Sequence, residues 1–148
     1  MNTREVVNDV LVNLFKEILE LEEIALIKGE FSDASVNDMH IIEAIGNDEP
    51  RSMSMIAKSL NITVGTLTTN MNSLEEKKYI LRERSKTDKR VVLVSLTEKG
   101  RKAFFHHRDF HRRMIHSIVK DLEEDEMKVL IRCLHNLTKF FDEQNKKK

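Results

Sequence analysis

Residues 52–100, SMSMIAKSLNITVGTLTTNMNSLEEKKYILRERSKTDKRVVLVSLTEKG, decide the fold. Ser52 stands ahead of Met55, Ile56, Ala57 and Leu60, a capping residue before a run of helical spacing. Asn61 is a turn residue. Thr63 then caps a second helix whose Leu67, Met71 and Leu74 share one face. Two short helices joined by about three residues form a helix-turn-helix. Tyr79–Arg82 and Val91–Leu96 follow, two strand-like runs around a polar turn, and they read as a hairpin. Between them, nine residues from Arg82 to Arg90 carry five basic and two acidic side chains. Thr97 caps the next helix.

Outward from this centre the pattern stays helical. Residues 4–28 place Val6, Val7, Val10, Leu11, Leu14, Phe15, Ile18, Leu19 and Leu21 three and four apart. The IALI stretch at 24–27 adds apolar surface beyond one face, which suggests burial against a partner, and Gly29 is a stop. Ser35 with Asp38 three residues on approaches a capping box. It opens a helix through Met39, Ile41, Ile42 and Ile45, ended by Gly46 and Asn47–Pro50. A long helix is expected over 98–120 and a last one from Glu123 to Phe141, through Met127, Leu130, Ile131, Leu134 and Leu137. Asp121 and the acidic residues 123–126 favour the start of that last helix, and the lysines at 146–148 a frayed end.

At 148 residues with one Pro, four Gly, no Trp and 34% charged residues, the chain suits one helix-rich domain able to bury its own core. No apolar run approaches the ~18 residues of a membrane span. The first ten residues lack the pattern of a secretory leader, and Cys133 is the only cysteine. The expected location is the cytoplasm, with no membrane partner. A Gly-rich phosphate loop, a nucleophile elbow and zinc-protease spacing are all absent, so an enzyme is not expected.

The chain has no net charge, yet the charge is unevenly spread. Residues 1–50 hold three basic and twelve acidic side chains, residues 51–102 twelve and five, residues 103–148 ten and eight. A basic middle is the footprint of a nucleic-acid surface. A solvated lysine-rich face is the plainer alternative, and so is a helical adaptor for other proteins, which needs no basic hairpin.

The order of elements and the stretch 52–100 resemble the MarR family of winged-helix repressors over nearly the whole length. Asp88 and Arg90 in the hairpin, followed by apolar residues and LTEKG, are the most specific part. MHIIEAIG at 39–46, VGTLTTNMNSLE at 64–75 and the paired His107 and His111 are similar to the FabT-like fatty-acid biosynthesis repressors of Gram-positive bacteria. The resemblance implies a mainly α fold with a β-hairpin wing. It makes 1–148 a single domain, with a DNA-binding region at 35–100 and dimerisation helices at 1–30 and 103–148. It also implies a repressor of fatty-acid biosynthesis genes that acts as a homodimer on double-stranded DNA, with a long-chain acyl group on acyl carrier protein as corepressor and no other cofactor.

In such a unit the second helix enters the major groove and the wing reaches phosphates or the minor groove. The candidate contacts are Ser52, Thr63, Gly65, Thr66, Thr68, Thr69 and Asn72, then Arg82, Arg84, Lys86, Asp88, Lys89 and Arg90. The helix offers no Arg or Lys, so guanine readout by bidentate Arg is not expected from it. Threonine methyls suit thymine methyls, and Asn suits adenine, which favours A·T-rich sites. The alternative is that the threonines only fill a polar face. Asp88 repels phosphate, and the resemblance implies that it orders Arg90 through a charge-assisted hydrogen bond. A two-fold dimer requires a pseudo-palindromic site with half-sites about 10 bp apart.

For an acyl ligand the candidate walls are Leu14, Ile18, Leu21, Met39, Ile42, Phe104 and Phe105, with His40, His107 and His111 nearby; ordinary core packing explains the same residues. His107 and His111, four apart on one helical face, also have the spacing of a metal pair that His40 approaches. No metal ligand is assigned on that basis. A regulator responding to zinc or to a small phenolic ligand is the alternative within the fold. Cys133 is expected to be a buried structural thiol rather than an oxidant sensor.

Overall fold

The computed structural model describes residues 2–147, with the side chains of residues 25–28 left out of the description. Of the stretch 24–27 expected to pack against a partner, Ile24 is exposed within the chain, and Ala25–Ile27 lie outside the described side chains. Among the described residues the order is α1 (Thr3–Lys28), α2 (Val36–Ile45), β1 (Arg51–Ser52), α3 (Met53–Leu60), α4 (Val64–Glu76), β2 (Ile80–Arg84), β3 (Val92–Leu96), α5 (Glu98–Val119) and α6 (Glu124–Lys146). The fold is mainly α with a small antiparallel sheet, as the sequence suggests.

The caps form as the side chains dictate. Ser35 and Asp38 close a full capping box on α2, each side chain taking the other's backbone N–H. Ser52 Oγ accepts from Met55 N, and Thr63 Oγ1 accepts from Thr66 N. Asn61 ends α3 in the left-handed region at φ 57°, a conformation Asn tolerates.

The sheet differs from the expected hairpin in one respect. It has three strands in the order β1-β3-β2, because Arg51 and Ser52 pair with Val94 and Leu93. A two-residue strand leaves no periodicity to read. β2 also runs two residues past Arg82 into the basic stretch, with Arg84 paired to Val92.

The chain divides into two compact units, the first ending at Arg108 and the second beginning at Asp109. In the first, Met39, Ile41, Ile42 and Ile45 of α2 meet Ile56 of α3, Leu67, Met71 and Leu74 of α4, and Tyr79, Ile80 and Val94 of the sheet. All are essentially solvent-free. Residues 67, 71 and 74 lie on one side of α4, so its other side is left to solvent. α1 in the same unit exposes Val6, Val7, Val10, Leu14, Phe15 and Leu19.

In the second unit α6 buries none of its residues, and Ile131, Leu134 and Phe141 are about half exposed. Cys133 is exposed, not the buried thiol expected. The apolar stripe of α6 is real, and among the described residues it stands exposed. α6 also continues five residues past Phe141 to Lys146, since its polar end suits the helix and its lysine complements the helix dipole. Among the described residues no helix is long and apolar enough to cross a membrane.

The exit of α4 is closed by a Schellman pair, with Tyr79 N donating to Leu74 O at 2.9 Å and Lys78 N to Glu75 O at 3.0 Å. Lys78 occupies the left-handed position usual for Gly, at φ 68°. The next carbonyls are taken by the start of α5. Lys99 Nζ donates to Lys77 O at 2.9 Å, Thr97 Oγ1 to Lys78 O at 2.6 Å, and Thr97 N to Tyr79 O at 3.0 Å. Thr97 Oγ1 in turn accepts from Gly100 N at 3.0 Å, the N-cap expected. α5 comes so close that a Cβ on Gly100 would lie 2.1 Å from Tyr79 O.

Two substitutions at this junction should move stability in opposite directions. Gly100→Ala forces a carbon into backbone and is expected to cost about 2–3 kcal/mol. Lys78→Gly relieves a left-handed non-glycine residue and is expected to add about 1 kcal/mol. Urea denaturation of each variant reads both; a neutral Gly100→Ala contradicts the junction described.

Candidate nucleic-acid interface

The exposed side of α4 is built from Gly65, Thr66, Thr69 and Asn72, with Thr68 partly covered. Residues 65, 68, 69 and 72 fall on one face by helical spacing. Their chemistry is more restricted than composition suggests. Thr63 Oγ1 donates to Thr66 Oγ1 at 3.0 Å, Thr68 Oγ1 donates back to Val64 O at 2.8 Å, and Thr69 Oγ1 to Gly65 O at 3.5 Å. With those hydroxyl protons used locally, the methyls of Thr68 and Thr69 are what turns away from the helix backbone. A Cβ at Gly65 would meet nothing but Thr63 Oγ1, at 3.9 Å.

The wing tip, residues 85–91, holds its own shape. Ser85 N donates to Val91 O at 2.8 Å and Val91 N to Asp88 O at 3.0 Å. Asp88 Oδ1 accepts from the Arg90 backbone N at 3.0 Å and from Arg90 Nε at 3.1 Å, and Oδ2 accepts from Nη2 at 3.3 Å. The Asp88–Arg90 pair expected from the sequence is therefore formed. The Arg90 side chain is still 90% exposed. Two of its five N–H donors face Asp88, and three remain for another anion. Arg84 Nη1 donates to Lys89 O at 3.2 Å, while Lys86 and Lys89 project into solvent.

Arg90 holds the Asp88 carboxyl below the ordinary carboxylate range, through its guanidinium first and its backbone N–H second. A depressed carboxylate contributes to the folded state above its ordinary pKa of about 4, and that contribution fades as pH falls through the lowered value. At neutral pH the pair is intact.

Between α4 and the wing lies a cleft of about 390 Å³, lined by Ser52, Ser54, Val64, Thr68, Arg82, Arg90 and neighbouring residues. Ser52, expected as a contact, caps α3 at the rim of this cleft. Arg82 is placed differently from the other basic residues. It is only partly exposed and reaches α4, where it bonds Glu75 and Asn72. Glu75 was not among the expected site residues; its spacing from Arg82 gives no signal until β2 folds back beside α4.

The ligand candidates separate into two groups. Met39, Ile42 and Phe104 are core residues, whereas Leu14, Leu21 and Phe105 are exposed and Ile18 is intermediate. The histidine candidates are brought to charged partners. His40 Nε2 lies 3.7 Å from the buried Glu22 of α1, the buried His107 lies 3.6 Å from Glu43 of α2, and the two imidazole rings are 5.9 Å apart. His111 follows His107 by one turn of α5. Glu22 and Glu43 carry no local motif that would have singled them out.

The family described as transcriptional regulator SarA/Rot matches residues 25–107. A Bacillus subtilis HTH-type transcriptional regulator, PchR, is 27% identical over 134 residues, which is 88% of this chain and 76% of that protein. The Staphylococcus aureus HTH-type transcriptional regulator SarZ is 36% identical over 61 residues, 41% of each chain. Streptococcus pneumoniae FabT, solved in complex with DNA, is 38% identical with a TM-score of 0.86, across 95% of this chain and 99% of that one. Staphylococcus aureus MepR, also solved with DNA, is 21% identical with a TM-score of 0.67 over 97% and 99%.

Proposed function

From the chain's membership of the SarA/Rot family of transcriptional regulators, with the winged-helix fold of the MarR family, we infer that it binds double-stranded DNA in sequence-specific fashion as a homodimeric repressor. It is a regulator and not an enzyme. The observation that carries the reading is the pairing of an exposed threonine and asparagine face on α4 with a self-ordered basic wing across one cleft. α4 inserts into the major groove, and its threonine methyls favour thymine. Arg84, Lys86, Lys89 and the free edge of Arg90 meet phosphates or the minor groove.

The homodimer is supported by apolar surface that stands exposed, among the described residues, on α1 and, separately, on α6. Exposed apolar stripes of this extent mark interfaces, and a second copy is the occupant that a two-fold operator requires. The regulated genes are those of fatty-acid biosynthesis, with long-chain acyl-acyl carrier protein as corepressor. This finer reading rests on the similarity to FabT and to the FabT-like repressors.

A second reading has its own observation. Glu22, His107 and His111 offer one carboxylate oxygen and two imidazole nitrogens that all lie within 4.8 Å of one another, a donor set that suits zinc. Protein purified without chelator or histidine tag should then carry about one metal ion per chain by elemental analysis; metal-free protein that binds none on titration removes this reading.

The leading reading is tested by titrating the full chain onto promoters of fatty-acid biosynthesis genes, with and without long-chain acyl-acyl carrier protein. The expected complex holds two 17.3-kDa chains per duplex, and it tightens at least tenfold with the acylated carrier. One chain per duplex contradicts the dimer. An unchanged affinity removes the corepressor and leaves DNA binding standing.

A further inference from the structure

Arg82 stands apart from the other basic residues of the wing. Arg84, Lys86, Lys89 and Arg90 are exposed, whereas the Arg82 side chain keeps 22% of its surface. Its guanidinium is committed to α4. Nε donates to Glu75 Oε2 at 3.2 Å, and Nη2 donates to Glu75 Oε1 at 3.1 Å and to Asn72 Oδ1 at 2.7 Å. Asn72 and Glu75 are three residues apart and so lie side by side on α4. The fork also holds the Glu75 carboxyl below the ordinary carboxylate range.

The consequence lies in the asymmetry of an amide. A guanidinium has five donors and no acceptor, whereas the Asn carboxamide carries an acceptor oxygen on one side and a donor NH2 on the other. Only the oxygen can face Arg82. The amide plane is therefore set, with Oδ1 turned to Arg82 and Nδ2 left for another partner. Asn72 shares its exposed face with Gly65, Thr68 and Thr69, the residues that meet bases on the reading above.

We propose that Arg82 is a positioning residue for base readout: it fixes the Asn72 amide so that a donor faces the groove, and it does not itself bind phosphate. The inference rests on the proposal that α4 enters the major groove. It changes the expected reading at one base pair. Bidentate pairing with adenine uses both the oxygen and the nitrogen of Asn. A held Oδ1 instead directs the amide to acceptor edges, such as guanine O6 and N7 or thymine O4, and against the N4 donor of cytosine.

The test begins with the full chain and a random-sequence duplex library. Affinity for the enriched duplex and its single-base-pair variants is then measured across a range of salt. Arg82→Met removes every donor at similar length. Its salt slope should match the wild type, while binding to the enriched duplex falls about tenfold. The wild type's base preference should flatten at one base pair per half-site and nowhere else. Arg82→Lys, with one ammonium still able to reach Oδ1, should recover part of that preference. Asn72→Asp leaves an acceptor for Arg82 but offers no donor, so it should lose the same preference with an unchanged urea midpoint.

A salt slope lower by about one in Arg82→Met, with all duplexes weakened alike, makes Arg82 a phosphate contact and overturns the proposal. An unchanged base profile in Asn72→Asp does the same, whether or not Arg82→Met folds. A library that enriches no sequence contradicts the DNA reading itself.

Discussion

Three successive carbonyls leave the end of α4 with no helical partner, and the structure depends on how they are satisfied. Those of Lys77, Lys78 and Tyr79 take donors from Lys99 Nζ, Thr97 Oγ1 and Thr97 N at the start of α5. Carbonyls just past a helix end, like the last ones within it, need donors from outside the helix. Meeting that need from an element twenty residues later ties the exit of α4, the base of the hairpin and the first turn of α5 into one joint. Close approach is the condition, and that is why residue 100 has no side chain. The joint extends to the 29–34 loop. The buried Tyr79 donates its hydroxyl to Asp33, and Lys99 donates to Asp33 Oδ2 at 2.9 Å while lying 4.2 Å from the Tyr79 ring centre. Burial, and then the Asp33 partner, push the Tyr79 hydroxyl well above its usual range, so it remains a donor at any physiological pH.

The joint matters for function because it sets where α4 and the wing stand relative to each other. β3 continues directly into Thr97, and β2 begins at Ile80, one residue after the Schellman turn. The basic tip is thus hung from the same backbone that ends α4. Arg82 adds a side-chain tie between the two, farther from the joint. The proposed division, bases read by one element and phosphates held by the other, needs this kind of fixed spacing, since each contact alone is weak. The tip meets the same need locally through Asp88, whose charge would otherwise oppose DNA but here orders Arg90 and leaves most of its donors outward.

Much of this was legible in the sequence, because its signals are local. Ser35, Ser52, Thr63 and Thr97 are capping residues wherever they stand before a helical run, and each one caps. The apolar residues of α4 repeat at helical spacing, which assigned its two sides. What escaped was nonlocal or unsigned. β1 is two residues long and is defined only by β3. The left-handed position after α4 holds Lys78, so the glycine that signals such a turn is missing. Glu75 joins the site only once β2 lies beside α4. Cys133 sits within an apolar pattern that reads as burial, but periodicity shows which face is apolar, not whether the same chain covers it.

On the function proposed, α4 and the wing together form the DNA contact surface. Amide hydrogen exchange of the full chain, free and bound to a saturating A·T-rich palindromic duplex, tests it most directly. New protection is expected over residues 64–72 and 84–92 together. Binding that protects neither segment, or only one, would contradict it.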